Sequence, residues 1–267
     1  MSADDRCDRL IGLTLGWEHC ARRISIEDGG DERLRLPVIA FLAHGPGGWT
    51  LLDCGLSPTM RDRERAARIY PGPPPEFPGE GDPLLDALDA CGVPLDAITT
   101  VAVSHLHVDH SGGLAHVADG RPVVVQAPEL AFAATPAAAA AGYVAEDWAA
   151  PGLAWRPIAG DAPIAPGIDA VATPGHTPGH MSYRVRTTAG PWLLAMDAID
   201  LQDGIDEDRP IGSAARPEDD PLRRRSHDRL LALAAAEGAR LVPGHCPRTW
   251  PAFPGPPAGV ALPPAGG

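Results

Sequence analysis

The feature that most constrains this chain is a seven-residue run, Ser104-His105-Leu106-His107-Val108-Asp109-His110, directly after the apolar stretch AITTVAV at 97–103. The apolar stretch reads as a buried strand. His105 and His107 are two apart and project to the same side of an extended chain. Asp109 and His110 lie just beyond, where the chain leaves the strand. Four ligand-type side chains therefore converge within six residues at the C-terminal end of one strand.

Two later segments have the same form. Thr173-Pro174-Gly175-His176-Thr177-Pro178-Gly179-His180 sets histidines in a Pro/Gly turn after a strand, and Val242-Pro243-Gly244-His245 does so again. Rigid turns suit metal ligands because the donor is held before the ion arrives. Between them the apolar run WLLAM ends in Asp197, and a buried carboxylate there needs a cation or hydrogen-bond donors.

The rest of the chain reads as alternating strands and helices. The first strand-like stretch is 36–42, followed by a turn and a second run at 49–53 that delivers Asp53 and Gly55 to a sheet end. Residues 57–70 read as a polar helix and 71–81, PGPPPEFPGEG, as a rigid loop. Asp82 is the expected N-cap of a helix that Pro83 begins and Gly92 ends. Strands are expected at 123–126, 168–172, 181–187, 191–196 and 241–245. Helix is expected over the alanine-rich 130–150, broken near Pro136 and Gly142, and an amphipathic helix over 219–238. From Trp250 the chain is Pro/Gly-rich and reads as a frayed tail, which leaves 1–250 as a single domain and 251–267 as an appendage. The order of elements makes the class α/β or α+β in packed layers.

Composition excludes several functions. The net charge is −13, and all 22 basic residues are arginine, so nucleic acid is not an expected partner. No apolar run approaches the ~20 residues that span a bilayer. The N-terminus has no secretory h-region and the five cysteines are scattered without a CxxC pair, which points to a reducing, cytoplasmic setting.

The metal-type residues, in this order, resemble those of the metallo-β-lactamase-fold hydrolases, over roughly 36–250. The resemblance implies a four-layer αββα sandwich with two divalent metal ions, zinc by the imidazole-rich donor set. It implies that His105, His107 and His176 bind one ion. Asp109, His110 and His245 would bind the other, with Asp197 bridging and Asp53 orienting ligands. Two such ions make hydroxide available near neutral pH and polarise a carbonyl, so the chemistry is hydrolysis of an ester, thioester, lactone, amide or phosphoester.

Within the fold, the chain most resembles the N-acyl homoserine lactone lactonases. LPV before the first hairpin, SHLHVDHSGG, VVVQAPE, TPGHTPGH and MDA carry that resemblance. It implies a small amphipathic lactone as substrate, opened by a metal-bridging hydroxide, with Asp109 returning the proton to the leaving alkoxide. The alternative is a glyoxalase II-like thioesterase or another ester or phosphoester hydrolase of the fold. One position departs from the lactonases. They often carry a tyrosine three residues after the bridging aspartate, and here that candidate catalytic position is Asp200, which donates a hydrogen bond only when protonated.

Weaker signals have plainer readings. His180 either supports the ligands from behind or, by the plainer reading, caps or packs, and Cys246 is a small buried residue. His44, His116 and His227 are expected at the surface, as is the Arg223-Arg224-Arg225 cluster. Trp17, Tyr70, Phe77 and Trp148 are packing residues by default, though their segments could line an acyl cleft.

Overall fold

A computed structural model describes residues 5–256 and the backbone of 260–261. The first sheet carries β1 (Arg9–Ala21), β2 (Arg33–Gly45), β3 (Gly48–Leu52), β4 (Ile98–Ala102), β5 (Pro122–Gln126) and β6 (Ala154–Ile158) side by side. β1, β2 and β3 pair antiparallel, whereas β3 to β6 pair parallel. The second sheet holds β7 (Ala162–Ala165), β8 (Ile168–Ala172), β9 (Met181–Thr187), β10 (Gly190–Met196) and β11 (Arg240–Pro243), antiparallel except for the β10–β11 pair. A two-residue strand β12 (Val260–Ala261) pairs with the outer edge of β1.

The period-2 alternation of β2 decides the layering. Ile39, Phe41 and Ala43 face the second sheet and pack with Ile168, Tyr183 and Leu194. Val38, Ala40 and Leu42 face the other way, toward residues of the flanking helices such as Leu84 and Phe132. The far side of the second sheet, through Val171, Leu193 and Ala195, buries Leu230 of a long helix. The result is four layers, αββα, as the resemblance implied.

The helices are α1 (Arg22–Ser25), α2 (Arg63–Ala67), α3 (Pro83–Ala90), α4 (Val108–Ser111), α5 (Ala127–Ala133), α6 (Pro136–Ala140), α7 (Ala145–Trp148), α8 (Gln202–Asp206) and α9 (Asp220–Glu237). Asp82 caps α3 through Oδ1, which accepts from the backbone N–H of Leu84 and Leu85. The breaks near Pro136 and Gly142 fall between α5, α6 and α7, as expected.

Four expectations differ. The first strand is β1, well before residue 36. Its two glycines and mixed polar end mask the strand signal, yet Gly12 is there because a Cβ would meet the Phe253 and Trp250 rings at 2.5 and 2.6 Å. The helix expected over 57–70 is split into a 3₁₀ turn, Pro58–Arg61, and α2, each with its own N-cap, Ser57 and Asp62. The inward side of α9 is largely polar, with Arg223, Ser226 and His227 buried beside Leu230. Arg223 and His227 are therefore interior, not surface, residues. Finally, Trp250 and Phe253 stack on one another, ring centroids 5.2 Å apart, and both meet Phe41 edge-on. The chain is thus anchored through Pro254, whose carbonyl accepts from Gly12 N at 2.9 Å, and 257–259 and 262–267 lie outside the described residues.

Candidate metal centre

Strand ends at one edge of the sandwich deliver the chemistry. β3 leads into Asp53, β4 into the run 104–110, β10 into Asp197 and β11 into His245, while the β8–β9 turn carries His176 and His180. That turn is seated on α9, where Ser226 Oγ donates to Pro174 O at 2.6 Å. A Cβ on Gly175 would stand 2.5 Å from Arg223 N, so the turn approaches the helix as closely as glycine allows. The two sheets are tied together at the site by Met181 N donating to Ser104 O at 3.0 Å.

The candidate ligands assemble in two groups. His105 Nε2 and His176 Nε2 lie 3.0 and 2.9 Å from His107 Nδ1. His110 Nε2 lies 3.3 Å from His245 Nε2 and 3.1 Å from Asp109 Oδ2. Asp197 stands between the groups. Its Oδ1 is 3.2 and 3.1 Å from His110 and His245, and its Oδ2 is 3.8 and 3.5 Å from His105 and His176.

The surroundings commit the outward nitrogens. His110 Nδ1 donates to Asp53 Oδ2 at 2.7 Å and His245 Nδ1 to Pro37 O at 2.8 Å. His105 Nδ1 faces Ser104 Oγ at 3.0 Å and His176 Nδ1 faces Ser213 Oγ at 3.1 Å. Each of these four rings thereby turns Nε2 inward, and a neutral imidazole with its distal N–H committed presents a lone pair there. At His105, His107 and His176, the lone pairs of neutral imidazoles about 3 Å apart repel, and a cation between them removes the repulsion. The donor set therefore fits divalent metal.

Charge follows the same division. Burial drives His105 well below the usual imidazole range, His107 to about 3 and His176 to about 4. These three are neutral, the form that binds metal. His110 and His245 go the other way: against the cost of burial, Asp109 and Asp197 on the first and Asp197 on the second push them well up. Against the same cost, His110 holds Asp109 down to about 2 and, with His245, holds Asp197 well below the carboxylate range. Asp200 is buried beside Asp197 and His245. Burial and the Asp197 charge push its carboxyl well up, and its Oδ1 has no hydrogen-bond partner.

Among the supporting residues, Asp53 and His180 are already marked in the sequence, whereas Glu129 and Glu18 escape it. Asp53 accepts from Ser104 N, Ser104 Oγ and Tyr183 OH as well as from His110. Glu129, from the VVVQAPE segment, accepts from Leu106 N at 3.0 Å and Tyr143 OH at 2.5 Å through Oε1, and from Thr177 Oγ1 and Gly179 N through Oε2. It joins the two histidine loops. His180 is more than packing, because its Nε2 accepts from Asp197 N. Glu18, on the unexpected strand β1, lines a cavity of about 600 Å³ that opens onto His107, Asp109, His176, Asp197 and Asp200. Tyr70 lines it too, whereas Trp17, Phe77 and Trp148 do not. Of the remaining histidines, His44 and His116 are partly exposed and pair with Asp8 and Asp82. Cys246 is buried, as expected.

An αββα sandwich with imidazoles and carboxylates gathered at one sheet edge defines a class, the hydrolases of the metallo-β-lactamase fold. Sequence comparison specifies the membership: the profile described as "Metallo-beta-lactamase superfamily" matches residues 34–245, and the chain belongs to that superfamily. It is 31% identical to the N-acyl homoserine lactonase AttM of Azorhizobium caulinodans, over 92% of this chain and 95% of that one, which places it in the lactonase family. It is 28% identical to the N-acyl homoserine lactonase AiiA of Bacillus thuringiensis subsp. kurstaki, over 79% and 82% of the two chains. A crystal structure of a B. thuringiensis AiiA mutant, with N-decanoyl-L-homoserine bound at its active site, superposes with a TM-score of 0.81 at 25% identity, covering 92% of this chain and 96% of that one.

Proposed function

We propose that the protein opens the lactone ring of N-acyl homoserine lactones with two divalent metal ions, zinc by the nature of the donors. The observation that carries this is the position of Asp197, which offers one oxygen to each group of ligands. His105, His107 and His176 would hold one ion, Asp109, His110 and His245 the other. Bound there, the ions supply Lewis acidity and a water that is deprotonated near neutral pH.

The chain's own residues do the rest. Hydrolysis adds hydroxyl to the lactone carbonyl carbon, breaks its bond to the ring oxygen and delivers a proton to that oxygen. Asp109 lines the cavity at the metal end and is placed to carry the proton. Ile24, Ile69, Ala137, Ala140 and Ala141 give the cavity an apolar side for an acyl chain. Asp200 cannot reproduce a phenol, so its carboxyl acts as a donor to the substrate carbonyl only in the protonated form that its burial favours.

We further propose a single domain that extends past the expected boundary at 250 to include the Trp250 and Phe253 anchor, and a cytoplasmic setting, in keeping with free, mostly buried cysteine thiols. Among the described residues no helix is long and apolar enough to cross a membrane. The deciding experiment is proton release from short- and long-chain N-acyl homoserine lactones by metal-analysed protein, beside a His107→Ala control and a simple thioester. Turnover of lactones with kcat/KM above ~10⁴ M⁻¹s⁻¹, lost in the control, is the expected result. Turnover of the thioester alone moves the assignment to the thioesterase alternative.

A further inference from the structure

Asp200 is not among the seven residues assigned to the ions, yet the fold sets it beside them. It lies between β10 and α8, and His245 directly follows β11. Backbone bonds join these two segments: Gly244 N donates to Ile199 O at 2.9 Å and His245 N to Asp200 O at 3.0 Å. The approach is as close as glycine permits, because a Cβ on Gly244 would stand 2.5 Å from Met196 O. Asp200 is thereby fixed next to His245 by main chain on both sides. The residue is 4% exposed and lines the same cavity as Asp109 and Asp197. The Ser25 hydroxyl is set against its carboxyl, but Oδ1 has no hydrogen-bond partner. One hydroxyl does not balance a buried carboxylate that has a second carboxylate, Asp197, beside it.

A carboxylate oxygen of Asp200 lies within 4.8 Å of ligand atoms of both Asp197 and His245. Donor atoms held about 2 Å from one ion are themselves within about 4 Å of one another, which is the scale of this group. His245 also groups with Asp109 and His110, so Asp200 extends that set and not the set of His105, His107 and His176. Resting on the two-metal reading, we infer that Asp200 is a further ligand of the ion held by Asp109, His110 and His245. A cation there offsets the repulsion from Asp197 and satisfies the buried oxygen. Proton and ion compete for that oxygen, so the donor role open to the protonated acid closes when the ion binds. The two sites then differ in kind. One has three imidazoles and the shared Asp197, the other two imidazoles and three carboxylates with Asp197 counted in both. Carboxylate donors suit harder ions such as manganese, so the site that includes Asp200 is the one that takes them.

Metal titration tests this without reference to turnover. Full-length metal-free protein is titrated with Co(II), followed by visible absorption, and with Mn(II), followed by the spin resonance of the free ion. Wild-type protein should bind two Co(II) per chain. In Asp200→Ala and Asp200→Asn the affinity for one of the two should fall by about tenfold or more, with the other unchanged. The band of the weakened ion should gain intensity in Asp200→Ala, because Co(II) absorbs more strongly as its ligand number falls. With the first site filled, wild-type protein should take up one Mn(II) that both variants lose. The unchanged first ion also reports that a variant is folded. Equal weakening of both ions would mark Asp200 as a structural residue, and unaltered affinity and absorption would leave it as the protonated donor; either result overturns the assignment alone. Fewer than two ions bound by the wild-type protein overturns the two-metal reading, and the assignment with it.

Discussion

The backbone N–H of Asp197 donates to Nε2 of His180 at 3.1 Å, and Met196, the last residue of β10, is held at φ 49°. A left-handed non-glycine residue costs roughly 1–2 kcal/mol. Its side chain is fully buried between the sheets, and the His180 bond fixes the turn that aims Asp197 at the histidines. The His180 Nδ1–H is committed to Thr173, which leaves Nε2 as the acceptor.

His180→Ala should therefore strand a buried N–H and loosen Asp197. The expected cost is about 2–3 kcal/mol of stability, read by urea unfolding, together with weaker metal retention against a competing chelator. A variant as stable and as metal-rich as the wild type would show that the bond does not hold the turn.

Asp53 should act through His110. It also has positive φ, 64°, a conformation asparagine tolerates, so Asp53→Asn changes the charge without straining the backbone. The amide cannot accept from Ser104 N, Ser104 Oγ, Tyr183 OH and His110 Nδ1 as the carboxylate does. Metal affinity should fall about 10–100-fold, measured by titration of the metal-free protein.

Glu129→Gln should disturb both histidine loops at once. Each carboxylate oxygen accepts two donors, and an amide NH₂ would face two of them donor to donor. A loss of about 2–3 kcal/mol is expected, with hydrogen exchange accelerated at both Leu106 and Gly179. Acceleration at one alone would mean that the loops are not coupled through this side chain.

Away from the site, Asp147 predicts a pH dependence. Burial raises its carboxyl to about 7, Arg65 opposing and Glu146 adding, and Oδ2 has no partner. The folded state thus binds a proton that the unfolded state has released between about pH 4 and 7, so this group's stabilising contribution is lost as pH rises through that window. Asp147→Asn stays neutral throughout. Its stability relative to wild type should be near unchanged at pH 5 and higher by roughly 1–3 kcal/mol at pH 8. A difference that is constant with pH would be inconsistent with a buried, proton-retaining Asp147.

The sequence by itself determined which residues could hold metal and at which strand ends they sit. The spacing of 105–110 is local, and a strand's period carries His105 and His107 to one side without help from the rest of the fold. The same local logic gave most of the later strands and the cap of α3, because turn residues and side-chain periodicity act over a few positions. Only the tertiary structure decided what surrounds that cluster. Glu129 touches loops that are 23 and 50 residues away along the chain, and Glu18 reaches the cavity from a strand whose Gly12 makes room for the Trp250 and Phe253 rings. The buried polar side of α9 is likewise set by the turn it supports. A residue's partners across the sandwich are chosen by packing and hydrogen bonding between distant segments, and no local periodicity encodes them.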